Sequence, residues 1–129
     1  MKEIKELTGL IVADIDIADD ELRITTKCGR QFQFYHYQDC CEYVRIVDTK
    51  GDMNILKGQK LVKVSMNAYE EDPEDIEGLD IGHDESRTWT DITFATDGDT
   101  VISRWVGESN GYYSESVNFC ELVNQFRKE

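Results

Sequence analysis

The chain has 129 residues, 40% of them hydrophobic, and a formal charge of −13 from 27 acids against 14 bases. That length and apolar content suit a single folded domain, residues 1–129, with its own core, and exclude a disordered chain. The acidity disfavours direct contact with DNA, RNA or an anionic membrane, since phosphate binding needs clustered Lys and Arg.

The charge is unevenly placed. Residues 1–68 carry 11 acids and 10 bases, whereas residues 69–129 carry 16 acids and 4 bases, a net of −12. Such a field attracts a cationic partner. No apolar run nears the roughly eighteen residues of a membrane span. The start, Met1-Lys2-Glu3-Ile4-Lys5-Glu6, lacks the apolar stretch of a secretory leader, so the expected location is the cytoplasm. In that reducing setting Cys28, Cys40, Cys41 and Cys120 are expected as free thiols or metal thiolates.

Leu10–Ile17 ends in period-two alternation and predicts a strand, Asp19-Asp20 a turn, and Glu21–Thr26 a second strand. Cys28-Gly29 makes the next turn, and Gln31–Tyr35 alternates again, giving an antiparallel meander. Tyr43–Asp48 predicts a strand, with a helical turn before it as one alternative. Gly51 to Gly58 encloses one or two helical turns capped by Asp52, and Leu61–Met66 resumes strand alternation. Residues 70–85 hold nine acids and no Lys or Arg, and predict a long surface loop. Within it Glu70, Glu71, Asp72, Glu74, Asp75, Glu77 and Asp80 are the expected partner-binding residues.

Trp89–Thr96 and Thr100–Val106 flank Asp97-Gly98, a strong hairpin signal. A two-residue loop there sets Phe94 opposite Val101 and Asp91 opposite Arg104, and gives Ile92, Phe94, Val101 and Trp105 to the core. Both tryptophans are expected as packing residues. Asn110-Gly111 marks another tight turn, Val117–Phe119 a strand, and Cys120–Phe126 a short closing helix. The predicted class is mainly β (α+β), a twisted antiparallel meander with one or two short helices.

Phe34–Glu42 gathers His36, Asp39, Cys40, Cys41 and Glu42 into a few positions. It reads either as a zinc site or as a buried turn with two small thiols. Zinc takes four tetrahedral ligands, often thiolate and imidazole. His36 and Cys40 are four apart, a spacing that lets one turn aim both at a point. Cys41 joins them only if the backbone bends, because neighbours on a strand face opposite ways. A fourth ligand must come from afar: His83 first, then Asp39 or Glu115. Structural zinc is the cofactor expected on the first of these readings, and two small core thiols on the second. No zinc-deaminase, H-E-x-x-H, Walker, G-x-G-x-x-G or G-x-S-x-G pattern occurs, so no catalytic residue is assigned. A zinc-dependent hydrolase with an open coordination position is the enzymatic alternative.

F-Y-H-x-Q-D-C-C-E at 34–42, Trp89-Thr90 and S-N-G-Y-Y-S-E-S at 109–116 resemble a family of small phage and prophage proteins carrying a domain of unknown function. The similarity runs from the second strand to Phe119. Within that setting the chain looks like an anti-CRISPR protein directed at the type II effector nuclease of a bacterial host. The resemblance implies His36, Asp39, Cys40, Cys41 and Glu42 as one functional motif, and Tyr112, Tyr113, Ser114 and Glu115 as another. It implies an inhibitor that covers the nuclease's positive channel and blocks loading of target DNA. The alternatives are a metal-dependent enzyme or nucleotide-signal-binding anti-defence protein, and a structural prophage protein without catalysis.

Overall fold

The computed structural model describes residues 4–38, 41–74, 86–111 and 114–122. These form strands β1 (Val12–Ile17), β2 (Glu21–Thr26), β3 (Gln31–Tyr35), β4 (Tyr43–Lys50), β5 (Lys63–Tyr69), β6 (Ser86–Ala95), β7 (Thr100–Ser109) and β8 (Asn118–Leu122). Two 3-10 turns, Ile4–Leu7 and Met53–Leu56, are the helical elements among them. The fold is mainly β, as the alternation predicts. One four-stranded sheet runs β1-β2-β3-β8 and the other β4-β7-β6-β5, with every neighbouring pair antiparallel.

Each sheet buries one face because its apolar residues recur every second position. Leu22 and Ile24 of β2 and Phe32 and Phe34 of β3 point inward from the first sheet. Val64, Ile92, Phe94, Val101 and Trp105 answer from the second. The Phe34 ring meets Phe94 edge-on at 5.7 Å across the gap, a favoured aromatic geometry. Phe119 of β8 lies 4.8 Å from Phe34 and stacks on Phe32 at 5.7 Å.

The β6–β7 hairpin has the predicted register, with Phe94 opposite Val101 and Asp91 opposite Arg104. Thr96 N donates to Asp99 O at 2.8 Å, closing the turn around Asp97-Gly98. Asp52 caps its 3-10 turn by accepting from Asn54 N at 2.9 Å. Trp89 and Trp105 are both fully buried.

Two expectations are corrected. Cys120–Leu122 is strand, not the start of a helix: Leu122 pairs with Gln31 and Cys120 with Gln33. The ladder to β3, the Phe119 contacts and a forked Arg30–Glu121 ion pair (2.9 and 3.0 Å) outweigh a helical spacing of only two apolar residues, one of which, Phe126, lies outside the described residues. Cys41 is disulfide-bonded and so neither a free thiol nor a metal thiolate, the two states expected of the cysteines, whereas Cys28 and Cys120 are free thiols.

Candidate functional site

The end of β3, the start of β4, the start of β6, the end of β7 and the start of β8 meet at one pole of the two sheets, because antiparallel pairing sets Tyr35 beside Asn118, Tyr43 beside Glu108 and Ser86 beside Ser109. This brings together the two motifs that lie some seventy residues apart in sequence. His36, just beyond β3, places Nδ1 2.7 Å from the Ser116 carbonyl oxygen and Nε2 2.8 Å from Glu42 Oε2. Both side chains are buried, at 3% and 0% exposure. A carbonyl only accepts, so Nδ1 carries a hydrogen. The proton of the other bond is then shared between Nε2 and the Glu42 carboxyl, as imidazolium with carboxylate or imidazole with carboxylic acid. In either form both ring nitrogens are occupied.

Glu115 makes the complementary grip. Its carboxylate accepts from Thr88 Oγ1 at 2.6 Å and from Ser109 Oγ at 2.5 Å, and the residue is buried. Room for it exists because β7 has Gly107 at this point: a Cβ there would lie 2.5 Å from the Glu115 carbonyl oxygen and 2.8 Å from its Cβ. Ser114 and Ser116 hydroxyls bond each other at 2.8 Å on either side. Residues 114–116 thus form a clasp, with Glu115 fastened into the second sheet and the Ser116 carbonyl onto His36 of the first.

On the outer face of the second sheet runs a ladder of charge. Arg45 pairs with Glu108 at 2.8 Å, Arg87 lies 3.6 Å from the same carboxylate, and Arg87 reaches Asp72 at 2.8 Å. The Arg45 guanidinium sits 4.3 Å over the exposed Tyr43 ring. Asp72 also accepts from the Trp89 indole at 2.8 Å. The indole hydrogen bond first, and then Arg87, hold the Asp72 carboxyl below its usual range. A depressed folded-state pKa contributes stability above the unfolded carboxylate value of about 4, lost as pH falls through the folded value. Asp72→Asn is therefore expected to destabilise at neutral pH by less than about 1 kcal/mol, since solvent screens this half-exposed group. The difference from the parent should vanish in acid. Urea denaturation followed by tryptophan fluorescence at both pH values checks this.

The expected site residues divide accordingly. Glu70, Glu71 and Glu74 are exposed, while Asp72 is engaged by the protein's own Trp89 and Arg87. Asp75, Glu77 and Asp80 of the partner set, and Cys40 and His83 of the metal set, lie outside the described residues, as do Asp39, Tyr112 and Tyr113. His36 and Cys41 do not present ligands in this arrangement, the first with both nitrogens hydrogen-bonded and the second in a disulfide. Among the described residues no group of three or more His, Cys, Asp or Glu side chains converges to hold a metal ion. The sequence reading missed Gly107, Thr88, Arg45 and Glu108. A glycine inside a strand signals close backbone approach, and an arginine between Val44 and Ile46 signals a charge in a buried setting.

Chemically, the pole is built to hold backbone segments together. Its proton-sharing dyad is buried, and among the described residues His36 hydrogen-bonds to Glu42 and to the Ser116 carbonyl. The profile of a family described as a domain of unknown function, DUF7448, matches residues 5–119. No curated protein and no solved structure matches the chain.

Proposed function

This chain belongs to the DUF7448 family, and from that premise we propose that it is a non-enzymatic binding protein whose acidic surface occupies a cationic protein partner. The supporting observation is how charge is distributed between interior and surface. Arg45, Arg87 and Arg104 face Glu108, Asp72 and Asp91 within the fold. Asp14, Asp16, Asp19, Asp20, Glu70, Glu71 and Glu74 face solvent. The protein's own cations thus neutralise inward carboxylates, and the outward field stays negative.

The specific partner is a bacterial host's type II CRISPR effector nuclease, whose nucleic-acid channel is strongly positive. That step rests on the motif resemblance. An anionic nucleotide ligand is less well supported, because the cleft of about 750 Å³ beside Ala68–Glu74 is bordered by Glu70, Glu71, Asp72 and Glu74. The guide-loaded nuclease mixed with this protein is expected to lose target-DNA binding at equimolar ratio, with the effect weakening as salt is raised. Inhibition at far below equimolar protein would point to an enzyme instead. A nuclease unaffected at low salt would remove this partner.

A further inference from the structure

The open edge of the first sheet carries a feature that the acidic-binder reading alone does not specify. In the β1–β2 hairpin Ala18 N donates to Glu21 O at 2.8 Å, and Asp16 lies opposite Arg23 and Asp14 opposite Thr25. Antiparallel pairs alternate, so Asp14, Asp16 and Ala18 turn their backbone groups toward β2. Ile15 and Ile17 turn theirs outward, where no hydrogen-bond partner meets them among the described residues. The first part of the same edge is closed, because Val12 N donates to Gln59 O at 2.9 Å and Val12 O accepts from Gly58 N at 2.7 Å. What remains open is the stretch from Ile15 to Ile17.

Beside this stretch lies a cleft of about 380 Å³ between Ile17–Asp19 of the first sheet's hairpin and Ile46–Thr49 of β4. Ile17 is 41% exposed at its rim, and Ile46 and Val47 are half-buried. The far end is shut by Ile46 N donating to Asp19 O at 2.6 Å. Asp19 and Asp48 line the cleft, and Asp14, Asp16 and Asp20 lie in or next to the same hairpin. Asp14 pairs with Lys57 at 3.2 Å and Asp48 with Lys50 at 3.6 Å. Asp16, Asp19 and Asp20 have no ion pair among the described residues.

We propose that the free edge of β1 receives an extended, lysine- or arginine-bearing segment of a protein partner as an added strand. The edge amides and carbonyls of Ile15 and Ile17 supply the ladder, and the cleft beside Ile17 takes an apolar side chain. Asp14 and Asp16, two positions apart on the outer face, match the period of basic residues at alternate positions of a strand. A second copy of this chain is excluded as occupant: at −13 it would set like charges along the new pairing. The inference rests on the acidic-binder reading and moves its point of contact from the 70–74 segment to the sheet edge.

The test is an NMR titration of the full-length, isotope-labelled protein with a peptide of about ten alternating Lys and Val residues, with a Glu–Val peptide as control. Saturable shifts are expected at residues 15–19 and 46–49, with slowed exchange of the Ile15 and Ile17 amides. Ile17→Pro removes an outward N–H that β2 does not use and is expected to weaken binding about ten-fold or more. Should that variant lose its folded spectrum, Asp16→Lys with the same readout decides the point. Shifts centred on Glu70–Glu74 and insensitive to both substitutions overturn the edge site while leaving the acidic-binder reading standing. Absence of saturable binding, or equal binding of the Glu–Val peptide, overturns both.

Discussion

Gly107→Ala is expected to lower stability by about 3 kcal/mol or more, the largest effect of any glycine substitution among the described residues. The added methyl carbon would lie 2.5 Å from the Glu115 carbonyl oxygen, 2.8 Å from its Cβ and 3.0 Å from its Cα. Two of these three atoms belong to the backbone, so no rotamer change relieves the clash. Residues 114–116 must lift away from β7. Doing so draws the Glu115 carboxylate off Thr88 and Ser109, leaving the buried Ser109 hydroxyl and the partly buried Thr88 hydroxyl without their acceptor. It also pulls the Ser116 carbonyl from His36 Nδ1, loosening the dyad in the other sheet. Gly98→Ala is the control: nothing lies within 4 Å of its added carbon, and its midpoint should move little. Urea midpoints of the two variants measure the difference. Similar midpoints for both would mean that the clasp gives way freely and does not hold the pole together.

His36→Ala is expected to cost about 3–5 kcal/mol, the range for removing one member of a buried ionic or proton-sharing pair. The loss has two sources: Glu42 keeps a fully buried carboxyl without its imidazole partner, and the Ser116 carbonyl loses a donor at 2.7 Å. Glu42→Gln should cost less, because an amide N–H can still donate to Nε2 of a neutral ring whose Nδ1 hydrogen faces Ser116. Combining His36→Ala with Glu42→Gln should add less than the sum of the two, since both act on one bond. Calorimetry of the three variants gives the cycle, and a strictly additive pair would show that the dyad contributes nothing as a unit. Elemental analysis of the same samples addresses zinc. About one zinc per chain in the parent, lost with His36, would make Nε2 a ligand and require it to exchange Glu42 for metal. A parent without zinc leaves the hydrogen-bonded dyad as the role of this motif.

The strand positions were largely legible because they rest on local rules. Period-two alternation located β2 and β3 to the residue, and Asp97-Gly98 set the β6–β7 register, because a two-residue loop leaves one pairing that buries Phe94 and Val101 together. The closing segment failed for the same reason. Leu122 and Phe126 suggested a helix from local spacing, but β8 is specified by its pairing with β3, nearly ninety residues away.

The candidate site shows the same division. That His36, Glu42, Ser109 and Glu115 are unusual residues was visible in their clustering into two motifs. That the motifs face each other was not, since antiparallel order across two sheets is what joins the end of β3 to the starts of β4 and β8. His36 looked like a ligand because its neighbours in sequence include cysteines. Among the described residues its hydrogen-bond partners are a carboxyl and a carbonyl, which occupy both nitrogens.

By itself, then, the amino-acid sequence determined the β class, the β6–β7 hairpin register and the excess of negative charge, because alternation, turn chemistry and composition act over a few residues or over the whole chain. Only the tertiary structure decided which carboxylates are used internally, as Asp72, Glu108 and Glu115 are, and which remain outward, as Asp14, Asp16 and Glu70 do. Sequence counts charges equally, whereas burial makes an unpaired one costly, and so the inward acids are matched to donors, some of them, such as Arg45 for Glu108, far away along the chain.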